Sequence, residues 1–257
     1  MTIKSLALIA LLLALSAIVS AQSIELRFEN TFNGQPLELK KEYTTAQGEP
    51  VSFSLLNYFI SNIKLTRTDG SVYEFPPETC YILVKQSEPR TQSVRIPVPE
   101  GEYSKLTYLI GVDSLRSTLG ADKRTGVLDV GGTASGMYWQ WNSGYIFFKL
   151  EGKSTASRDS LRHGFYYHIG GYGGFDKPMR NNIRSKTLAF EKPLKTSPKK
   201  NLRISIDVQI DRFFAGERSI KIGEHYSVMG GDLSSQIADN YVDIFVLSNA
   251  ATVKAKK

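Results

Sequence analysis

Three histidines, two tryptophans, one cysteine and four methionines carry the ligand atoms or oxidisable groups of this 257-residue chain. His163 and His168 are five residues apart, so on an unbroken strand they point to opposite sides and do not chelate together. His168 follows Tyr166 and Tyr167 and precedes Gly170-Gly171-Tyr172-Gly173-Gly174, a flexible run expected to leave the imidazole accessible. His225 stands just before Ser227-Val228-Met229. Met137 and Met229 are thioethers of the kind that serve soft metals, but neither belongs to a methionine-rich cluster. Taken alone, one histidine at a strand end is a hydrogen-bonded structural residue more often than a ligand. Catalytic signatures are missing: there is no G-x-S-x-G elbow, H-E-x-x-H helix, P-loop or C-x-x-C pair. The expectation is a protein that binds rather than catalyses.

Both tryptophans lie in the densest aromatic run of the chain, 136–152. As one strand, it puts Trp139 and Trp141 on one face. Beyond Gly144 the apolar face moves to Ile146, Phe148 and Leu150, with Lys149 and Glu151 opposite. One extra residue causes such a change of parity, so a β-bulge is expected at Ser143-Gly144. The tryptophans are then either core residues or side chains re-aimed by the bulge. Exposed, Tyr138, Trp139, Trp141, Tyr145, Tyr166, Tyr167 and Tyr172 would form an aromatic platform for sugar rings or another apolar ligand. An extracellular recognition module without a metal is therefore the second reading.

The elements that must position these residues are overwhelmingly strands. Segments 24–28, 51–66, 72–75, 80–85, 94–98, 103–112, 164–169, 185–190, 201–210 and 241–247 all have strand character. Segment 51–66 contains an irregularity near Asn62, and Thr68-Asp69-Gly70-Ser71 signals a hairpin. Segment 201–210 alternates most cleanly, with Leu202, Ile204, Ile206, Val208 and Ile210 on one face. Helical signals are short, at 113–119, 211–215 and 232–239. The fold class expected is all-β, an antiparallel β-sandwich with short helical turns in its loops. A single domain over 22–250 is expected, followed by a basic tail at 251–257.

Residues 1–21 read as a signal peptide: Lys4, an apolar run at 6–19, and Val19-Ser20-Ala21 as the small-residue cleavage pattern. The protein is therefore expected to be periplasmic or secreted. Loss of Lys4 lowers the formal charge from +7 to +6. Much of the excess sits at 192–200 and in the tail, both read as solvated segments rather than a binding stripe. The single cysteine, Cys80, lies in an apolar run and is expected to be a buried, inert thiol.

Five pieces occur in order: Phe53-x-Leu55-x-Asn57-Tyr58-Phe59-Ile60-Ser61-Asn62-Ile63, Gly111-Val112-Asp113-Ser114, the tryptophan run, His168-Ile169-Gly170-Gly171 and Ile237-Ala238-Asp239-Asn240-Tyr241. Together, from about residue 23 to 247, they resemble the MbnP-like domain family of periplasmic copper-binding proteins associated with methanobactin genes. The resemblance implies copper as the ligand. It also implies a tryptophan oxidised to kynurenine by a partner di-haem peroxidase, with the new aromatic amine and histidine imidazoles holding the metal. Borderline nitrogen ligands suit both oxidation states of copper. Trp139 and Trp141 are the only tryptophans that could be modified, and His168 matches the histidine of the family's H-[IL]-G motif. The resemblance identifies no second histidine, and 248–251 holds none where relatives are expected to carry them.

Overall fold

The computed structural model describes residues 22–140, 144–174 and 180–255. The signal-peptide reading at 1–21, Trp141 and the Ser143 half of the expected bulge lie outside these residues.

Two twisted sheets face each other across the main core. The first carries β1 (Ser23–Phe32), β2 (Gln35–Pro36), β7 (Ser93–Pro97), β13 (Lys200–Gln209) and β15 (Phe245–Lys254) in the order β15-β13-β1-β2, with β7 also on β1. The second follows the path β12-β8-β4-β10-β11-β14, from β12 (Arg184–Thr196), β8 (Gly101–Ile110), β4 (Pro50–Arg67), β10 (Gly144–Lys153), β11 (Gly164–Gly170) and β14 (Ser227–Val228). Short strands β3 (Glu42–Thr44), β5 (Val72–Glu74) and β6 (Ile82–Lys85) pair with β4, and β9 (Tyr138–Trp139) pairs with β10. The sheets are mostly antiparallel, as expected for the sandwich, but β1 with β13 and β11 with β14 run parallel. The first parallel pair is possible because all of the second sheet except β14 intervenes in sequence between its strands.

Period-2 alternation explains the inner faces. Leu202, Ile204, Ile206 and Val208 are fully buried, as are Ile24 and Leu26 on β1 opposite. Aromatic contacts tie the layers together: Phe28 meets Tyr58 edge-on, and Phe148 stacks between Tyr58, Phe213 and Tyr241. The expected irregularity in β4 is present: Asn62 has a positive φ of 51° and the register to β8 shifts between Ser61 and Lys64. The hairpin at 68–71 forms, joining β4 to β5. Cys80 is a buried free thiol.

Several expectations need correction. Segment 241–247 is not one strand, because helix α3 (Gly231–Asp243) continues through Tyr241, whose ring serves the core, and β15 starts only at Phe245. At 13 residues α3 is also longer than a helical turn, unlike α1 (Ser114–Thr118) and α2 (Asp211–Phe214). The basic tail begins later than expected: Ala251 to Lys254 complete β15, paired with Arg203 to Lys200. The lysines of 192–200 are exposed as expected, but most of the segment is strand rather than loop, since β12 runs to Thr196 and β13 begins at Lys200. Charge drew those two boundaries, but ladder hydrogen bonds tolerate lysine on a strand's solvent side.

The second sheet is covered on both faces at one end. A satellite cluster of Phe59, Leu83, Val112, Leu128, Met137, Trp139, Tyr145, Phe147 and Tyr172 packs on its outer side, beneath the irregular segment 112–137. This double burial explains why Tyr145-Ile146-Phe147-Phe148 is uninterrupted apolar sequence.

Candidate metal centre

The aromatic run is a hairpin, not one strand. Trp139 pairs with Gly144 and Tyr138 with Tyr145, so the chain reverses between them. The register to β11 shifts between Ile146 and Phe148; of the expected bulge position Ser143-Gly144, Ser143 lies outside the described residues.

The reversal sends Trp139 over β11. Its ring packs against Gly170 so closely that a Cβ there would lie 2.7 Å from the indole and 2.4 Å from the Tyr145 carbonyl oxygen. Only glycine permits this approach. Gly170 is two residues beyond His168, hence on the same outer face of β11, roughly 7 Å along the strand. The structure thus brings Trp139 and His168 together on one face of the second sheet.

His168 pairs across the ladder with Lys149, and Tyr166 with Glu151. The imidazole reaches diagonally, placing Nε2 2.7 Å from Glu151 Oε1. Lys149 Nζ approaches the same carboxylate oxygen at 3.3 Å and donates to the Gly136 carbonyl at 3.0 Å, tying the cover segment to the sheet. The hydrogen bond with His168 lowers the Glu151 carboxyl below its usual range; burial opposes this, and the Lys149 charge adds to the lowering. The His168 side chain is 12% exposed, so the glycine run does not leave it open to solvent. Gly170 is clamped by Trp139 above it and by Asn182 Nδ2, which donates to its carbonyl at 2.7 Å.

The other candidates lie apart. His163 is exposed in the turn before β11, with a positive φ of 51°, so the question of its strand face does not arise. His225 is exposed and precedes β14 at the level of Gly164, the end of β11 away from His168. Met137 is fully buried in the satellite cluster. Met229 is 38% exposed directly after β14. The aromatic platform is overturned for its main members: Trp139, Tyr145, Tyr167 and Tyr172 are all buried. Sequence reasoning missed Glu151 and Lys149 as partners of His168. Their alternation with Phe148 and Leu150 marked them as one face, but only the strand register supplies the histidine.

Among the described residues, no group of three or more His, Cys, Asp or Glu side chains is placed to hold a metal. A metal at His168 must draw on other donors. By type the imidazole nitrogen suits copper, and the Trp139 indole lies on the same face. Among the described residues, no helix is long and apolar enough to cross a membrane.

Comparison with known proteins gives a consistent family. The profile of the MbnP family matches residues 21–230. The solved structure of MbnP from Methylosinus trichosporium superposes with a TM-score of 0.55 at 14% identity, covering 82% of this chain and 82% of that one. At that identity the superposition shows a shared fold. No curated protein sequence matches.

Proposed function

This chain belongs to the MbnP family, and we propose that it is an exported copper-binding protein whose site is built on His168 and on Trp139 after oxidation to kynurenine. The observation that carries the reading is the packing of the Trp139 ring over Gly170, on the face and strand of His168. Two residues chosen for their chemistry, 29 positions apart in sequence, share one face of the second sheet.

Glu151 supplies the supporting contact. If His168 holds its proton on Nε2, the imidazole donates to Glu151 Oε1 and leaves the Nδ1 lone pair for a metal. A carboxylate behind a ligating histidine fixes the tautomer and raises the basicity of the ligand nitrogen. Copper would supply a Lewis-acidic centre for nitrogen and sulfur donors. Trp139 contributes once its five-membered ring is opened: cleavage of the C2–C3 bond adds two oxygen atoms, and loss of the formyl group as formate frees the aromatic amine. That chemistry needs a peroxide-class oxidant and an oxidising partner, for which a di-haem peroxidase is the reading. The role assigned to this chain is binding, with no catalytic step of its own. The signal-like sequence at 1–21 supports export to the periplasm.

The test is peptide mass spectrometry with metal analysis on mature protein from its native host grown in scarce copper. Bound copper together with a ring-opened Trp139 is the expected result. Intact tryptophans and no copper would sink the reading.

A further inference from the structure

We infer that the cleft between the turn at 76–79, helix α1 and segment 123–128 binds a small zwitterion, an apolar α-amino acid. Its carboxylate sits on Arg116 and its ammonium group on Glu78. The site involves neither His168 nor Trp139.

Size and lining are the first support. The cleft encloses about 310 Å³. Small-molecule sites span about 300–1,000 Å³, and the lower end of that range suits a ligand of amino-acid size. Pro77 and Glu78 belong to a turn closed by the Thr79 N–H, which donates to the Pro76 carbonyl at 2.9 Å. Val127 and Leu128 supply an apolar wall, and the Leu128 carbonyl is held from behind by the Tyr145 hydroxyl at 2.6 Å. A second cavity of about 230 Å³ shares Pro77, Tyr81 and Arg116 with the first. It is bordered by Phe75 and by Leu115, which is 70% exposed, so an apolar side chain has room to extend past Arg116.

Arg116 is a prepared anchor. Asp113 Oδ1 accepts from the Arg116 backbone N–H at 3.0 Å, and Asp113 Oδ2 accepts from the Tyr81 hydroxyl, so both carboxylate oxygens are taken. Those two bonds fix α1 and the Tyr81 ring relative to each other. The Arg116 guanidinium lies over that ring, 5.9 Å from its centre. A guanidinium placed this way keeps N–H groups for a carboxylate, the partner its fork geometry matches.

Charge then selects the zwitterion. Arg116 and Glu78 line one cleft with opposite charges, yet among the described residues neither has an ion-pair partner within 4.0 Å. Lys123, the other cation of the lining, is already paired with Asp122 at 3.5 Å. A ligand that satisfies both free charges needs a carboxylate for Arg116 and a cation for Glu78, and an α-amino acid carries the two on adjacent atoms. A plain anion would be opposed by Glu78, and a plain cation by Arg116. The apolar lining of Pro77, Val127 and Leu128 asks in turn for an apolar side chain.

The experiment titrates the mature protein with L-leucine, with isocaproate, which is leucine without its amino group, and with isoamylamine, which is leucine without its carboxylate. Calorimetry gives the affinities, and backbone amide NMR locates the site. Leucine should bind saturably with a Kd of about 1 mM or tighter and shift the amides of 78–81 and 116–128. The two truncated ligands should bind about fivefold or more weakly. Arg116→Gln keeps the backbone N–H to Asp113 and should weaken leucine binding by about tenfold or more. Glu78→Gln should erase the preference for leucine over isocaproate, and His168→Ala should change nothing. Thermal melting of each variant checks that the fold is intact. The inference is overturned if leucine does not bind saturably, if isocaproate binds as well as leucine, or if Arg116→Gln leaves leucine binding unchanged.

Discussion

Removing the carboxylate of Glu151 should weaken copper binding without touching a metal ligand. In the structure this carboxylate meets His168 Nε2 at 2.7 Å and is only 22% exposed, so the bond is largely shielded from water. Glu151→Gln keeps the length and one acceptor oxygen but removes the charge. A charge-assisted hydrogen bond is about twice as strong as a neutral one, worth about 1.5–3 against about 1 kcal/mol net. The difference is about 1 kcal/mol, or roughly fivefold in affinity. Glu151→Ala removes the acceptor altogether and should fall in the range of about 10–100-fold seen for outer-shell partners of metal-bound histidines. Anaerobic chelator competition supplies the affinities, and nitrogen NMR of the imidazole reports the tautomer directly. Lys149→Ala is the control, because Lys149 approaches Glu151 Oε1 but also holds the Gly136 carbonyl. If Glu151→Ala bound copper as tightly as wild type while His168→Ala did not bind it, the carboxylate would have no part in preparing the histidine.

Glu25 should make the protein sensitive to acid. Burial pushes its carboxyl up, but hydrogen bonds from Arg203 and Arg27 outweigh this and hold it at about 2, against 4.5 for the free side chain. A depressed carboxylate stabilises fully above its unfolded value, and the contribution is lost as pH falls from about 4.5 towards 2. Arg27 and Arg95 are 40% and 49% exposed, so solvent screening reduces the loss to about 1–2 kcal/mol. Urea melts should show it, and Glu25→Gln should flatten that limb; equal slopes for both proteins would refute the assignment. Two core tyrosines should respond in opposite senses. The Tyr167 hydroxyl is buried with no hydrogen-bond partner among the described residues, so Tyr167→Phe should leave stability unchanged or raise it by up to about 1 kcal/mol. Tyr58 donates to Asn30 Oδ1 at 2.8 Å, so Tyr58→Phe should cost about 1–3 kcal/mol in the same melts.

Legibility in the sequence followed burial on one face. Where a strand has one wet side, as at 201–210, alternation identified the inward residues correctly from Leu202 to Ile210. Where both sides are covered, as at 145–148, there is no polar phase to count, and alternation alone does not separate a hairpin from a bulged strand. The boundary of α3 failed for another reason: Tyr241, Ile244 and Phe245 are all apolar because all face the core, whether helical or extended. For the site, residue type singled out His168, Trp139 and Trp141, and residue numbers could not say that Trp139 and His168 share a face. That placement depends on a hairpin over Gly170 and on the β10–β11 register, both non-local. The Glu151 contact depends on the same register, since it joins residues 17 apart on neighbouring strands.

If Trp139 is oxidised as proposed, its position would link that modification to metal binding. The ring is 5% exposed within a satellite cluster separate from the main core. Its cover, 112–137, is held by side-chain contacts such as Lys149 to the Gly136 carbonyl, Tyr145 to the Leu128 carbonyl at 2.6 Å, and Arg124 over the Tyr138 ring at 4.2 Å. Once the ring is opened, the cluster must accommodate an aromatic amine where it had a large apolar surface. An amine buried without a partner is costly, and coordination to a metal beside His168 would satisfy it. On this reading the same packing that hides Trp139 makes its modified form depend on copper.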